Sequence, residues 1–128
     1  MQRAVKNCWY MAGWADEFGP DGLVREIRGQ RVFIYRRQGG SLAALADRCP
    51  HRFAPLSMGR RDGDNAVCPY HGLTFAPDGQ CVRNPFSDKI PAGAHVPAFV
   101  IVERDDIAWL WGGDFAGADP ALIPDFCF

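Results

Sequence analysis

Long apolar runs and blocks of like charge are both missing from this sequence. No apolar segment approaches the roughly 20 residues that a membrane-spanning helix needs. The first thirty residues lack a basic stretch followed by an apolar run, which a secretory signal would show. The 128 residues carry a formal net charge of −1, with acidic and basic side chains mixed, so neither nucleic acid nor a membrane is expected as a partner. We predict a soluble, cytoplasmic protein.

A disulfide framework is also missing. The five cysteines are an odd number, and their spacing shows no pattern of paired bridges. Two of them belong to the motifs described below. For the other three, Cys8, Cys81 and Cys127, we predict buried thiols that pack as small apolar residues, as is typical of a reducing compartment.

Sustained helical periodicity is the third absence, with a short stretch at 13–18 as the one candidate helix. Short apolar stretches alternate instead with turn signals, which predicts an all-β fold of short antiparallel strands in small sheets. Residues 60–65 read as an exposed polar turn. The predicted hairpins join 31–35 to 41–45, 73–75 to 80–82, and 99–102 to 107–111.

Two short motifs carry the chemistry. Cys49-Pro50-His51 and Cys68-Pro69-Tyr70-His71 each offer one thiolate and one imidazole, and sixteen residues separate His51 from Cys68. In a Rieske-type [2Fe–2S] cluster two cysteines hold one iron and two histidines hold the other. Each motif would then bind both irons. Neutral imidazoles in place of thiolates also leave the site less negative, which makes the cluster easier to reduce.

Structural zinc is the alternative for the same four side chains. Mixed zinc sites usually place two cysteines together and two histidines together, whereas here a Cys-His motif is followed by a second Cys-His motif. The order of the residues therefore favours an iron–sulfur cluster over a zinc site. With zinc, the domain would be a metal-stabilised binding module.

The residues beside the ligands fit rigid loops. Pro50 and Pro69 restrict φ at the second position of each motif, and Gly72 permits a backbone turn, although any turn glycine would do the same. Arg52 either places positive charge near the cluster and guides an acidic partner, or is an ordinary solvated arginine. Tyr70, between Pro69 and His71, is the last of the residues that we expect beside the cluster ligands.

At this point the sequence resembles a known family. Residues 49–57 (CPHRFAPLS), 68–73 (CPYHGL) and 79–85 (GQCVRNP) are similar to the N-terminal Rieske domain of bacterial Rieske non-haem iron oxygenases. Residues 7–12 (NCWYMA) and 119–126 (DPALIPDF) resemble the branch that contains vanillate O-demethylase and dicamba monooxygenase. The resemblance implies the Rieske fold, with a two-loop subdomain that binds the cluster.

The resemblance also implies what this chain is not. Respiratory Rieske proteins bridge their two loops with a disulfide, at positions where this chain has Ala54 and Tyr70. They also place hydroxyl groups near the cluster where this chain has Leu73 and Phe75. Fewer donors stabilise the reduced cluster less, so we predict a midpoint potential of about −150 to 0 mV.

Histidine is too scarce for oxygen chemistry within this chain. Family oxygenases activate O₂ at a mononuclear iron held by two histidines and a carboxylate. The chain has three histidines, of which two are assigned to the cluster and His95 has no metal-spaced companion. We therefore predict no catalytic residues here. Electrons would come from a reductase or ferredoxin and pass to the mononuclear iron of a catalytic domain outside this chain.

The resemblance implies an exit for the electron. In the family the second histidine contacts a neighbouring subunit of a trimer, and that position is His71 here. We predict a Rieske domain over 1–117 and an apolar linker or tail over 118–128 that leads to the catalytic domain, so that the parent protein is an oxidoreductase acting on aromatic substrates by hydroxylation or O-demethylation. The alternative is a free-standing Rieske-type ferredoxin.

Overall fold

The fold is seen in a computed structural model that describes residues 8–27, 29–50, 54–70, 72–85, 87, 89–90, 94–112, 118–119, 121 and 123. These residues form short strands and two 3-10 helices, Ala15–Glu17 and Leu56–Met58. The strands, in chain order, are β1 (Trp9–Trp14), β2 (Leu23–Ile27), β3 (Gln30–Arg36), β4 (Leu42–Ala46), β5 (Arg60–Asp62), β6 (Asn65–Val67), β7 (Thr74–Phe75), β8 (Cys81–Arg83), β9 (Ile101–Arg104) and β10 (Ile107–Trp111).

The strands pair into three antiparallel sheets. Sheet A has the order β1-β10-β9, sheet B the order β2-β3-β4, and sheet C the order β5-β6-β7-β8. Across the described ranges, no helix is long and apolar enough to cross a membrane. The prediction of an all-β fold with small antiparallel sheets is confirmed.

The three predicted hairpins are present as β3–β4, β7–β8 and β9–β10. The β9–β10 turn shows why its sequence signal was clear. Asp105 and Asp106 have φ of 54° and 65°, the left-handed values of a two-residue turn whose twist matches that of the flanking strands. Aspartate tolerates this conformation better than most residues because its short polar side chain bonds locally.

Two predictions about local structure need correction. Residues 60–65 are not only a turn, because they supply β5 and the start of β6. A short strand can be polar when one face of its sheet meets solvent. The candidate helix at 13–18 is limited to the single 3-10 turn Ala15–Glu17.

Strand β3 lies between two apolar cores because its side chains alternate between the faces of sheet B. Phe33 and Tyr35 contact the ligand-side core, and Val32 and Ile34 contact the second core. The ligand-side core contains the buried residues Phe33, Tyr35, Ala43, Leu45, Ala46, Cys49, Leu56, Ala66, Cys68, Leu73, Phe75, Cys81 and Val96. This core joins sheet B to sheet C and supports both cysteine motifs.

Two described residues near the C-terminus, Asp119 and Ile123, contact sheet A. Ile123 is buried with Ile107 and Trp109, and the Trp9 Nε1 donates a hydrogen bond of 2.8 Å to the Asp119 carbonyl. The described part of the tail therefore packs against the sheet. The division of the chain at 117 and 118 stays a prediction.

Candidate metal centre

The two predicted cysteine ligands lie in one buried cluster. Cys49 follows β4 and is 1% exposed, and Cys68 directly follows β6 and is 3% exposed. Both thiols belong to the ligand-side core, although they come from different sheets. The fold thus brings together two residues that are nineteen positions apart in the sequence. The predicted ligands His51 and His71, and Arg52, lie outside the described residues.

The first motif is held by a backbone hydrogen bond across its turn. The Cys49 N–H donates to the Ala54 carbonyl at 2.8 Å, which brings the two ends of the loop together. Pro50, directly after the cysteine, is half-buried. Its ring restricts φ, so the chain leaves Cys49 in a limited set of directions.

The second motif is closed in the same way and more tightly. The Cys68 N–H donates to the Leu73 carbonyl at 2.8 Å, and the Gly72 N–H donates to the Cys68 carbonyl at 3.1 Å. Gly72 has φ of 81°, a left-handed value that favours glycine, as the turn predicted there requires. A Cβ at this position would lie 3.2 Å from Cγ of Pro85.

The outer part of the second motif lies at the surface. Pro69 is exposed, Tyr70 is 59% exposed, and the neighbouring Met58 is 74% exposed. A cleft of about 470 Å³ opens beside Cys68, with Met58, Pro69 and Gly72 among its lining residues. Cys68 therefore lies beside a partly apolar surface.

This donor set fits an iron–sulfur cluster. Thiolates are soft ligands that suit such clusters, and the two thiols approach from opposite loops of one core. The sequence places one histidine two residues after Cys49 and another three residues after Cys68. The side chains that follow the second loop, Leu73 and Phe75, are buried and bring no hydroxyl group to this core.

A buried tyrosine joins the scaffold to the strand pair between the two motifs. The Tyr35 hydroxyl donates to the Asp64 carbonyl at 2.6 Å, and the Arg61 guanidinium lies 4.9 Å from the centre of the Tyr35 ring. Burial raises the pKa of Tyr35 to about 12, with a smaller rise from Asp64, while Arg61 and Arg37 act in the opposite direction. The phenol therefore stays protonated.

Three residues that support the loops were not predicted from the sequence. Asp47 is buried and Ser57 half-buried, and the two are joined by hydrogen bonds across the first motif. Gly59 lies so close to the second motif that a Cβ on it would overlap the Val67 carbonyl oxygen. Asp47 and Gly59 lie outside the short motifs, and Ser57 is only the last residue of segment 49–57; each acts through a partner that the fold brings near.

Comparison with known proteins agrees with this geometry. The sequence profile of the Rieske [2Fe-2S] domain matches residues 8–99. The chain is 48% identical over 123 residues to the oxygenase component of dicamba O-demethylase from Stenotrophomonas maltophilia, covering 95% of this chain and 36% of that protein. It is 40% identical over 119 residues to a vanillate O-demethylase oxygenase subunit of Pseudomonas sp. (strain HR199 / DSM 7063), covering 92% of this chain and 33% of that protein.

Solved structures show the same likeness. The crystal structure of apo dicamba monooxygenase superposes with a TM-score of 0.93 at 47% identity, covering 98% of this chain and 39% of that one. The chain thus spans about a third of the length of the curated relatives that it matches. It belongs to the Rieske [2Fe–2S] domain family, whose cofactor is a Rieske-type [2Fe–2S] cluster.

Proposed function

We propose that this chain transfers single electrons as the Rieske domain of an oxygenase component, with Cys49, His51, Cys68 and His71 as the cluster ligands. The observation that carries the proposal is the burial of Cys49 and Cys68 in one core, each at the start of a loop that also contains a histidine. When bound, a [2Fe–2S] cluster supplies reversible one-electron chemistry.

The protein residues supply rigidity. Each ligand loop is tied by a hydrogen bond from its cysteine N–H, and a proline follows each cysteine. Ligands that hardly move between oxidation states keep the reorganisation energy of electron transfer small. The apolar core beneath them keeps water from the thiolate side of the site.

The surface beside the second loop suits a protein partner. Tyr70 and Met58 are large, exposed side chains; Tyr70 directly precedes His71 in the sequence, and Met58 lines the same cleft as Pro69 and Gly72. Exposed aromatic and methionine side chains are enriched at interfaces. We propose that this surface faces the catalytic domain of an adjacent subunit in a homotrimer, and that a reductase or ferredoxin supplies the electrons.

The oxygen chemistry would take place outside this chain. With three histidines in all, the chain cannot hold both the cluster and a two-histidine mononuclear iron site. The relatives named above are oxygenase components, and the match covers nearly all of this chain but about a third of each relative. This pattern supports an oxygenase domain acting on aromatic substrates, with residues 118–128 leading to the catalytic part, over a free-standing ferredoxin. The thiol ligands suit the cytoplasm.

The experiment that tests the proposal is reconstitution with iron and sulfide under anaerobic conditions, followed by a titration with dithionite. We expect a coloured protein that takes up one electron per chain and gives a rhombic EPR signal on reduction. A colourless chain that binds zinc and takes up no electrons would contradict the proposal.

The exit role of His71 needs a separate test. His71→Cys retains a thiolate that can bind iron but removes the imidazole ring and its second nitrogen, so the rate of electron delivery to the catalytic iron should fall in the longer protein. The matched control is His95→Cys, because His95 is exposed and its ring lies outside the ligand loops. Equal delivery rates in the two variants would rule out the exit role.

A further inference from the structure

A buried carboxylate stands at the base of the first ligand loop. The Asp47 side chain has an exposed fraction of 0%, and the residue lies between the end of β4 and Cys49. Removing a carboxylate from water is unfavourable unless hydrogen bonds replace the lost hydration. Its bonding partners therefore decide what this residue does.

Those partners come from the far side of the loop. Asp47 Oδ1 accepts the Ser57 backbone N–H at 2.7 Å, and Oδ2 accepts the Ser57 hydroxyl at 2.7 Å. The Arg31 Nη2 lies 3.4 Å from Oδ2, but the Arg31 side chain is 61% exposed and adds little. Charge-assisted hydrogen bonds of this length are stronger than neutral ones. Ser57 is thus the main partner.

The Asp47–Ser57 pair brackets the first motif. Residues 48–56 lie between the two, and they include Cys49 and the loop closed by the Cys49 to Ala54 hydrogen bond. The scaffold end of the bracket is fixed because the Asp47 N–H donates to the Arg31 carbonyl of β3 at 3.0 Å. The Asp47 backbone thus fixes the near end of the loop to sheet B, and the Asp47 carboxylate ties the far end of the loop, at Ser57, to the same residue.

The same bracket reaches the second motif through Gly59. This residue packs against the Val67 carbonyl and the Pro69 ring, so close that no side chain would fit. Arg60, the next residue, pairs with Val67 in the β5–β6 ladder. A shift of Ser57 would therefore be passed to Cys68, which follows Val67 directly.

We propose that Asp47 is a positioning residue for the cluster: its bonds to Ser57 set where Cys49 stands relative to Cys68. The inference rests on the proposed ligand set, and it assigns a part in cluster binding to a side chain that is not a ligand.

A carboxylate elsewhere in the molecule supplies the matched control. Glu17 accepts the Trp14 N–H at 2.8 Å and the Arg25 Nη2 at 3.0 Å, so it also has one backbone and one arginine partner. It lies beside sheet A and the second core, away from both cysteine motifs. Substitution there removes similar bonds without touching the ligand loops.

The experiment compares Asp47→Ala, Asp47→Asn, Ser57→Ala and Glu17→Ala with the unchanged chain after identical reconstitution. Four properties are measured: iron and sulfide per chain, the rate at which an iron chelator removes the iron, the EPR g-values, and the midpoint potential. A residue that only stabilises the fold would leave the g-values and the potential unchanged.

We expect Asp47→Ala to lose iron about tenfold faster than the unchanged chain, because both bonds to Ser57 disappear. Asp47→Asn keeps the shape but removes the charge, so it should give altered g-values and a more positive potential. Ser57→Ala keeps the backbone bond and should lie between Asp47→Asn and the unchanged chain. Glu17→Ala should match the unchanged chain.

The positioning role of Asp47 and the proposed function would be overturned by different results. If Asp47→Asn and Ser57→Ala keep the g-values, potential and iron-release rate of the unchanged chain, the positioning role is wrong while the ligand set stands. If the unchanged chain takes up no cluster, the proposed function fails first. Should Asp47→Ala not fold, the asparagine and serine variants still decide the question.

Discussion

The two ligand loops are closed by the same bond but supported differently. In each, the cysteine N–H donates at 2.8 Å to the carbonyl five residues further along, from Cys49 to Ala54 and from Cys68 to Leu73. The second loop is flanked on both sides by paired strands, since Val67 pairs with Thr74. The first loop has β4 before it and only a 3-10 helix after it.

This difference explains the buried carboxylate. A strand ladder holds the ends of the second loop together through backbone hydrogen bonds alone, and a left-handed glycine completes the turn. Among the described residues, no strand ladder joins the ends of the first loop, and the Asp47 side chain adds its bonds to Ser57 to the backbone bond from Cys49. A site with two similar motifs can therefore depend on very different surroundings.

The largest expected effect is loss of the cluster, and it should be the same for a substitution in either loop. Cys49→Ser and Cys68→Ser should each abolish cluster binding, because a serine hydroxyl is a poor replacement for a thiolate ligand. Cys81→Ser is the control, since Cys81 is a buried thiol of the same core outside both motifs. Iron and sulfide analysis after reconstitution measures the effect. Full iron content in either ligand variant would contradict the assignment.

The next largest effect is on the free energy of unfolding, and it should differ between glycines with different surroundings. Gly59→Ala should cost at least about 3 kcal/mol in the free energy of unfolding, because the new Cβ meets the Val67 backbone, which cannot move aside cheaply. Gly72→Ala should cost about 1–2 kcal/mol, mainly from its left-handed φ of 81°.

The control for both is Gly63→Ala in the β5–β6 turn. Gly63 also has a positive φ, of 61°, but its Cβ would meet open space, so a cost of about 1 kcal/mol is expected. Urea unfolding of the three variants measures the order. Equal costs at Gly59 and Gly63 would mean that close packing between the loops is unimportant.

A pH effect tests the link between sheet B and the strand pair that separates the loops. Burial raises the pKa of Tyr35 from 10.0 to about 12 in the folded protein, so the unfolded chain loses this proton first as the pH rises. The stability that the raised pKa of Tyr35 contributes is fully present below pH 10 and is lost as the pH rises from 10 to 12. It amounts to about 2–3 kcal/mol in the free energy of unfolding.

Tyr35→Phe isolates this effect from other groups that titrate at high pH. The variant loses the hydrogen bond to the Asp64 carbonyl, which costs about 1 kcal/mol at neutral pH, and it should show a smaller loss of stability above pH 10. Urea unfolding at several pH values gives both curves. Parallel curves for the two proteins would show that Tyr35 does not titrate as described.

The smallest effect concerns the redox potential. Leu73 is buried at the end of the second loop and offers no hydroxyl, which supports the predicted potential of about −150 to 0 mV. Leu73→Ser should raise it by roughly tens of millivolts if the hydroxyl reaches the cluster side of the core. Ala54→Ser introduces a hydroxyl group into the first loop, and its midpoint potential is compared with that of Leu73→Ser. A native potential well above about +100 mV would refute the prediction.

The cysteine motifs and the hairpins were predictable because their signals are local. Within each motif the cysteine and the histidine are at most three positions apart, and the Asp105-Asp106 turn carries its own conformational preference. Asp47 was missed because an aspartate beside Arg48 usually faces solvent, and its partner Ser57 lies ten positions away. Gly59 was missed because its close neighbour, Val67, is brought near only by the β5–β6 pairing.

Whether Cys49 and Cys68 hold a [2Fe–2S] cluster is tested most directly by the EPR spectrum of the reconstituted chain during a dithionite titration. We expect the oxidised protein to be EPR-silent and, after one electron per chain, to give a rhombic signal that is absent from Cys49→Ser and Cys68→Ser and present in Cys81→Ser. A chain that stays silent on reduction, or a signal that survives loss of either Cys49 or Cys68, would contradict this assignment.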